Sequence, residues 1–270
     1  MKALRIITIF LFVLSLALYL GVSFRYNILL DRVSPEIRCE SDVLEVSVNA
    51  AESELLAGVT ATDNRDGDLT SQIMVQGISR LLTDDTVRIT YVVMDSSDNI
   101  ASCTRIVHYT DYTPPRLALT DIPVYTTDIE KNALTMLKET LAATDVKDGD
   151  LSGHIRIIAS SIDVTLEKTY SVTLEVTNSL GDSEVVPLTI VIDNEGARNP
   201  LVTLKEYITY VDAGSPFDPA SCILTLNGSA YTGADSGLSI DSQVDTATPG
   251  TYQVRYQYQS FTVYQTVVVR

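Results

Sequence analysis

The sequence predicts an all-β protein built as three tandem β-sandwiches behind one N-terminal transmembrane helix. Three observations predict it: a charge-free apolar run near the start, short strand-like segments in the remainder, and an acidic block that occurs twice.

The apolar run comes first. Lys2 and Arg5 precede an uncharged stretch from Ile6 to Phe24. At about 1.5 Å per residue such a helix comes close to crossing a hydrocarbon core of about 30 Å. The competing reading is a cleaved export leader, whose apolar region is usually about 7–15 residues and ends in small residues. Here the run is longer, and Leu20-Gly21-Val22-Ser23-Phe24 is a poor cleavage site. The expectation is therefore a single-pass signal-anchor. Residues 1–25 form a cytoplasmic stub and span, residues 6–24 lie in the cell membrane, and the C-terminal ectodomain is extracytoplasmic. Lys2 and Arg5 favour that orientation, although Arg25 and Arg32 on the far side weaken the bias.

Composition narrows the function classes. A formal charge of −16 and a pI near 4.4, with no basic patch, exclude a nucleic-acid binder, because phosphate affinity rests on clustered Lys and Arg. Hydrophobic residues make up 45% of the chain, enough to build cores.

Beyond the anchor the pattern is that of half-buried strands. Val87, Ile89, Tyr91 and Val93 fall on one face of their segment, and Tyr252, Val254, Tyr256 and Tyr258 on one face of theirs. One stretch departs from this: Leu134, Leu137 and Leu141 recur at helical spacing within residues 128–141, with Asp128 as candidate cap.

The chain also repeats itself. ATDNRDGDLTSQI at 61–73 returns as ATDVKDGDLSGHI at 143–155, and each block precedes a similar strand, VRITYVV at 87–93 and YSVTLEV at 170–176. YQVRYQY at 252–258 supplies a third strand of the kind, and Pro35, Pro115 and Pro200 each precede an apolar run. This spacing suits small sandwiches of about seven strands and somewhat under about 100 residues. The expected domains are 34–112, 113–194 and a divergent 198–270. The joint at 111–115, with Pro114-Pro115, should be stiff; that at 193–200, with Gly196, should bend more.

The two acidic blocks, each followed by a Thr- and Tyr-containing strand, resemble the bacterial immunoglobulin-like domains named after a pesticidal crystal protein. Asp95-Ser96-Ser97-Asp98-Asn99 stands where that family has a D-x-x-G-N turn, with Asp98 in place of glycine, and Asn178-Ser179-Leu180-Gly181-Asp182 is a looser match. The first domain is also similar to the hyalin repeat, through Pro35-Glu36-Ile37-Arg38-Cys39 and Ala101-Ser102-Cys103. The third domain lacks the acidic block. The resemblance implies three immunoglobulin-like sandwiches of the kind used as spacers or adhesive modules on bacterial surfaces, and its hyalin-like positions imply a Cys39–Cys103 disulfide. Cys222 has no partner in its own domain and reads as a core thiol.

The acidic blocks are the sharpest chemical feature. Asp63, Asp66 and Asp68, and likewise Asp145, Asp148 and Asp150, present the hard oxygen donors that calcium takes. Yet Ca²⁺ wants about six to eight oxygens, and three carboxylates on one short loop supply too few unless other segments converge. Asp66-Gly67 and Asp148-Gly149 are therefore expected chiefly as turn-formers, with Gly67 and Gly149 at positive φ and calcium weak if bound. No other cofactor is expected. His108 and His154 lie in different repeats, and no nucleophile, zinc or phosphate-loop motif occurs, so no enzymatic activity is expected. Two functions remain: a non-catalytic stalk or adhesive module, or a subunit recognising a cell-surface glycan or protein through domain three. Tyr252, Tyr256 and Tyr258 are expected in the core of that domain, with Tyr264 undecided.

Overall fold

The computed structural model describes every residue except 1, 30, 41–42, 84, 128–132, 164 and 234. It is mostly β-sheet behind one long helix, α1 (Lys2–Leu29). Between Arg5 and Arg25 the mean hydropathy of α1 is 2.5 and none of that window is buried. Phe10, Tyr19 and Phe24 are all exposed. The helix has the length and composition of a membrane span, or of an export signal.

The chain divides into two compact units, Met1–Thr110 and Asp111–Arg270. The first, after α1, contains β1 (Glu36–Cys39), β2 (Val43–Val46), a single helical turn α2 (Glu52–Leu55), β3 (Val59–Asp63), β4 (Gly67–Asp68), β5 (Met74–Ile78), β6 (Thr86–Met94) and β7 (Ile100–Tyr109). Two sheets form, ordered β1-β3-β4 and β2-β7-β6-β5. β6 and β7 pair antiparallel from Thr86–His108 to Met94–Ile100, whereas β2 runs parallel to β7. The alternation of β6 fixes its buried face: Val87, Ile89, Tyr91 and Val93 are each 0% exposed. A buried cation, Arg105, is held without an acid: its terminal nitrogens donate to the Leu55 and Ala57 carbonyls at 2.7 and 2.9 Å and to Tyr91 Oη at 3.0 Å, while its Nε has no hydrogen-bond partner among the described residues.

The second unit holds two further sandwiches. The first of them comprises β8 (Arg116–Leu119), β9 (Val124–Tyr125), α3 (Ala133–Thr140), β10 (Leu141–Asp145), β11 (Gly149–Asp150), β12 (Arg156–Ser160), β13 (Lys168–Thr177) and β14 (Ser183–Ile192). Its sheets are β11-β10-β8 and β12-β13-β14-β9. After α4 (Asn194–Arg198) come β15 (Val202–Leu204), β16 (Ile208–Val211), β17 (Ile223–Leu226), β18 (Ser229–Ala230), β19 (Leu238–Ser242), β20 (Gly250–Tyr258) and β21 (Phe261–Val269), in sheets β15-β17-β18 and β16-β21-β20-β19. In all three sandwiches a short early strand, β2, β9 or β16, joins the last strand in parallel. The divergent final segment thus keeps the strand plan without the acidic block.

Two local expectations change. α3 ends at Thr140, and Leu141, read as the last apolar position of a helix, opens β10, where it pairs with Leu119. Asp128, the candidate cap, lies outside the described residues. The segment 193–200, expected to bend, is occupied by α4. Asp193 caps it through Oδ1, accepting from the Glu195 and Gly196 N–H groups at 3.1 and 3.0 Å. Gly196 is buried where an added Cβ would stand 2.9 Å from Phe261 Cδ2. The glycine is there for close packing, and one continuous apolar core runs from Leu117 to Val269. Polar contacts reinforce it: Tyr207 N donates to the Leu119 carbonyl at 2.8 Å, and Leu117 N to Tyr210 Oη at 2.8 Å. Arg270 lies 4.4 Å from the Tyr210 ring centroid and 3.5 Å from Glu184.

Candidate metal centre

The acidic block folds alike in both copies. Asp63 ends β3, and its Oδ1 accepts from the Arg65 and Asp66 N–H groups at 2.8 and 2.9 Å. Asp145 ends β10 and does the same with Lys147 and Asp148 at 2.8 and 2.9 Å. These are Asx turns, and the reversal is completed by Gly67 and Gly149, both at φ +74. The middle aspartates reach across to the hairpin between the last two strands. Asp66 accepts from Ser96 N and Oγ at 2.7 and 2.8 Å, and Asp148 from Ser179 N and Oγ at 2.6 and 2.7 Å. Asp68 and Asp150 accept from Thr70 N and Ser152 N, each at 2.9 Å. The Thr70 and Ser152 hydroxyls, then their backbone N–H groups, hold both carboxyls below the ordinary value. All six carboxylates read as candidate ligands thus accept backbone hydrogen bonds, Asp63, Asp68, Asp145 and Asp150 locally and Asp66 and Asp148 from the opposite hairpin.

Asp63 differs. It is 8% exposed, and its Oδ2 is buried with no hydrogen-bond partner among the described residues. It faces two aspartates from elsewhere, Asp31 and Asp95, so that one carboxylate oxygen of each lies within 4.8 Å of the others. Among the described residues this is the one such group of three or more. Asp31 comes from the segment between α1 and β1, and Asp95 from the β6–β7 hairpin. Asp95, 4% exposed, accepts at Oδ1 from Ser97 N and Asn99 N, both at 2.8 Å. Asn99 Nδ2 donates to Asp95 Oδ2 at 2.7 Å and to the Asp31 and Val33 carbonyls at 3.2 and 3.3 Å, tying the two segments together. Burial raises the Asp95 carboxyl, but the hydrogen bonds from Asn99 and Ser97 outweigh it and leave a net lowering. Asp98 supplies the left-handed residue of the hairpin, φ 66, where the resembled family has glycine.

The second sandwich answers the same problem with an amide. Asn178 holds the place of Asp95, and its Nδ2 donates to Asp145 Oδ2 at 3.1 Å and to Tyr112 Oη at 2.8 Å. Tyr112 Oη in turn donates to Asp182 Oδ2 at 2.7 Å. Sequence reasoning placed Asp63 among the candidates but left out Asp31 and Asp95. The repeat contained the signal, since matching Pro35 to Pro115 sets Asp31 against Asp111, and matching the hairpins sets Asp95 against Asn178.

Cys39 on β1 and Cys103 on β7 face each other across the sandwich. Their sulfurs are 3.2 Å apart with both thiols free and half-buried. Burial, then the neighbouring Cys39, pushes the Cys103 thiol up to about 12. Cys222, read as a core thiol, is half-buried at the end of a 3-10 turn. Tyr256 is fully buried, whereas Tyr252 and Tyr258 are half-buried. Tyr252 and Tyr264 line an open cleft of about 470 Å³ with Asp241, Gln243 and Arg255.

The architecture therefore defines a class: tandem β-sandwiches of immunoglobulin-like plan following an N-terminal apolar helix. No protein-family model matches the chain. It is similar to the pesticidal crystal protein Cry22Aa of Bacillus thuringiensis, 32% identical over 127 residues, which is 45% of this chain and 16% of that protein. Among solved structures, the CBM51-2 and INT domains of Clostridium perfringens ZmpB in complex with GlcNAc are 17% identical over 56% of this chain and 26% of theirs, with a TM-score of 0.24. Domains 6–7 of surface layer protein SbsC are 16% identical over 60% of this chain and 98% of theirs, TM-score 0.23. Drosophila N-cadherin EC1-3 is 11% identical over 85% of this chain and 98% of its own, TM-score 0.30. These likenesses to solved structures are too slight to carry a functional argument.

Proposed function

We propose that this protein is a membrane-anchored bacterial surface protein, with α1 retained as a signal-anchor and the sandwiches outside the cell, where they act as a non-catalytic stalk or adhesive module. The observation that carries the reading is the exposure of α1. A helix apolar on every side with none of its window buried has the surface of a segment that lipid covers, which supports the reading. Asp68 and Asp150 accept from backbone two residues on, and Asp66 and Asp148 tie the block to the opposite hairpin, which supports a structural use of the acidic blocks. Fractionation of the native cells tests the reading. The protein should stay with carbonate-washed membranes, and protease added to intact cells should remove its ectodomain; release by carbonate would sink it.

A second reading rests on the cleft beside Tyr252 and Tyr264, where an aromatic face with Arg255 and Asp241 near it has the composition of a small glycan or protein contact. Binding of the whole protein to a glycan array, lost in Tyr264→Ala, would favour this alternative.

A further inference from the structure

We propose that Asp31, Asp63 and Asp95 together bind one calcium ion, and that the ion fastens the segment following α1 to the first β-sandwich. The three carboxylates come from three separate segments, the chain after α1, the end of β3 and the β6–β7 hairpin, which is the convergence a single acidic loop could not supply. Two of them are buried, and Asp63, whose carboxylate stands within 4.8 Å of the other two, keeps a buried Oδ2 with no donor among the described residues. Buried carboxylates at this spacing repel one another unless a cation or a shared proton lies between them.

The second sandwich is a control built into the same chain. There the equivalent Asp145 keeps its Asx turn, but the opposing residue is Asn178, whose amide satisfies Asp145 Oδ2 at 3.1 Å. An amide donor stands in one repeat where the other presents a third acid. The all-oxygen donor set selects a hard cation over zinc or copper, and three acids on separate segments leave room for the about six to eight oxygens calcium takes, water completing the shell. Asn99 pre-arranges the site, since its one amide group holds Asp95 Oδ2 and the carbonyl of Asp31. Asp31 lies just beyond the end of α1 at Leu29, so the bound ion controls how firmly the chain leaving the helix is held to the sandwich. The calcium-rich setting rests on the extracytoplasmic reading above; the binding does not.

The test uses the full chain in detergent, stripped with chelator and titrated with calcium chloride by calorimetry, with tryptic cleavage after Arg32 as a second readout. The expected result is one calcium per chain with a dissociation constant on the order of 10⁻⁴ M, as for extracellular modules. Asp31→Asn and Asp63→Asn should weaken it by at least about tenfold, and Asp95→Asn, which installs the residue type of the second sandwich, should abolish it while the protein stays folded. Asp145→Asn should leave it unchanged. Saturating calcium should slow cleavage after Arg32 in the parent and not in Asp95→Asn. Absence of stoichiometric binding to the parent, binding indifferent to all three substitutions, or loss of binding in Asp145→Asn would overturn the proposal. Asp31→Asn lies outside both sheets, so its effect is readable even if a buried variant misfolds.

Discussion

Asn178 donates its side-chain amide to Oδ2 of Asp145 at 3.1 Å, in the place where, one repeat earlier, Asp95 faces Asp63. The substitution Asn178→Asp would therefore recreate in the second sandwich an opposition of acids, and would also remove a donor to Tyr112 Oη. We expect a loss of about 2–3 kcal/mol at neutral pH, from a buried acceptor left unsatisfied and like charges brought together. The paired carboxyls of the variant would have one folded-state pKa raised, so the folded state would bind the extra proton and the deficit would shrink as pH falls. Chemical denaturation of the parent and variant across pH checks this; a constant difference would contradict it.

The turn glycines can be tested where sterics are absent. An added Cβ at Gly67 or Gly149 would meet nothing within 4 Å, so any cost comes from the backbone at φ +74 alone. Gly67→Val and Gly149→Val should each destabilise by about 1–2 kcal/mol, and Gly67→Asn by less, because Asn tolerates the left-handed region. Asp68→Asn should matter little, since an amide oxygen can still accept from Thr70 N. Thermal melts of the variants decide it.

Local features of this kind were legible in the sequence because they depend on near neighbours. The buried face of β6 followed from alternation, and the Asp-Gly turns from residue type. The metal-ligand candidates were read too locally: Asp68 and Asp150 accept from backbone donors two residues on, whereas the Ser96 and Ser179 donors to Asp66 and Asp148, and the aspartates facing Asp63, are brought there by folding. α4 was missed because Gly196 signals flexibility in isolation, and only Phe261, distant in sequence, makes it a packing residue. Leu141 looked helical because a strand beginning directly after α3 preserves the apolar spacing.

Gly196 accordingly provides a third prediction. Gly196→Ala would place a Cβ 2.9 Å from Phe261 Cδ2 and closer still to the Asp193 carboxylate that caps α4. Overpacking of this type costs about 1–3 kcal/mol. The midpoint of unfolding of the second unit should fall, whereas a flexible joint at this point would leave it unaltered.

Cys39 and Cys103 are placed to bridge once oxidised. A disulfide would span 64 positions of sequence, a constraint of about 4 kcal/mol in chain-entropy terms and less if the native state is strained. Peptide mapping of non-reduced protein taken from cells should find the bridged pair, and reductant should lower the melting temperature of the first unit only. In reduced protein Cys103, with its thiol pushed up to about 12, should alkylate slowly at pH 8 compared with an unfolded control.

The anchored reading of α1 is tested most directly by the intact mass of the protein recovered from washed membranes of the cells that make it. Retention of the anchor predicts a membrane-bound species at the mass of the whole chain, 29.5 kDa. A soluble species lacking about 25 N-terminal residues, the length of a removed export leader, would contradict it.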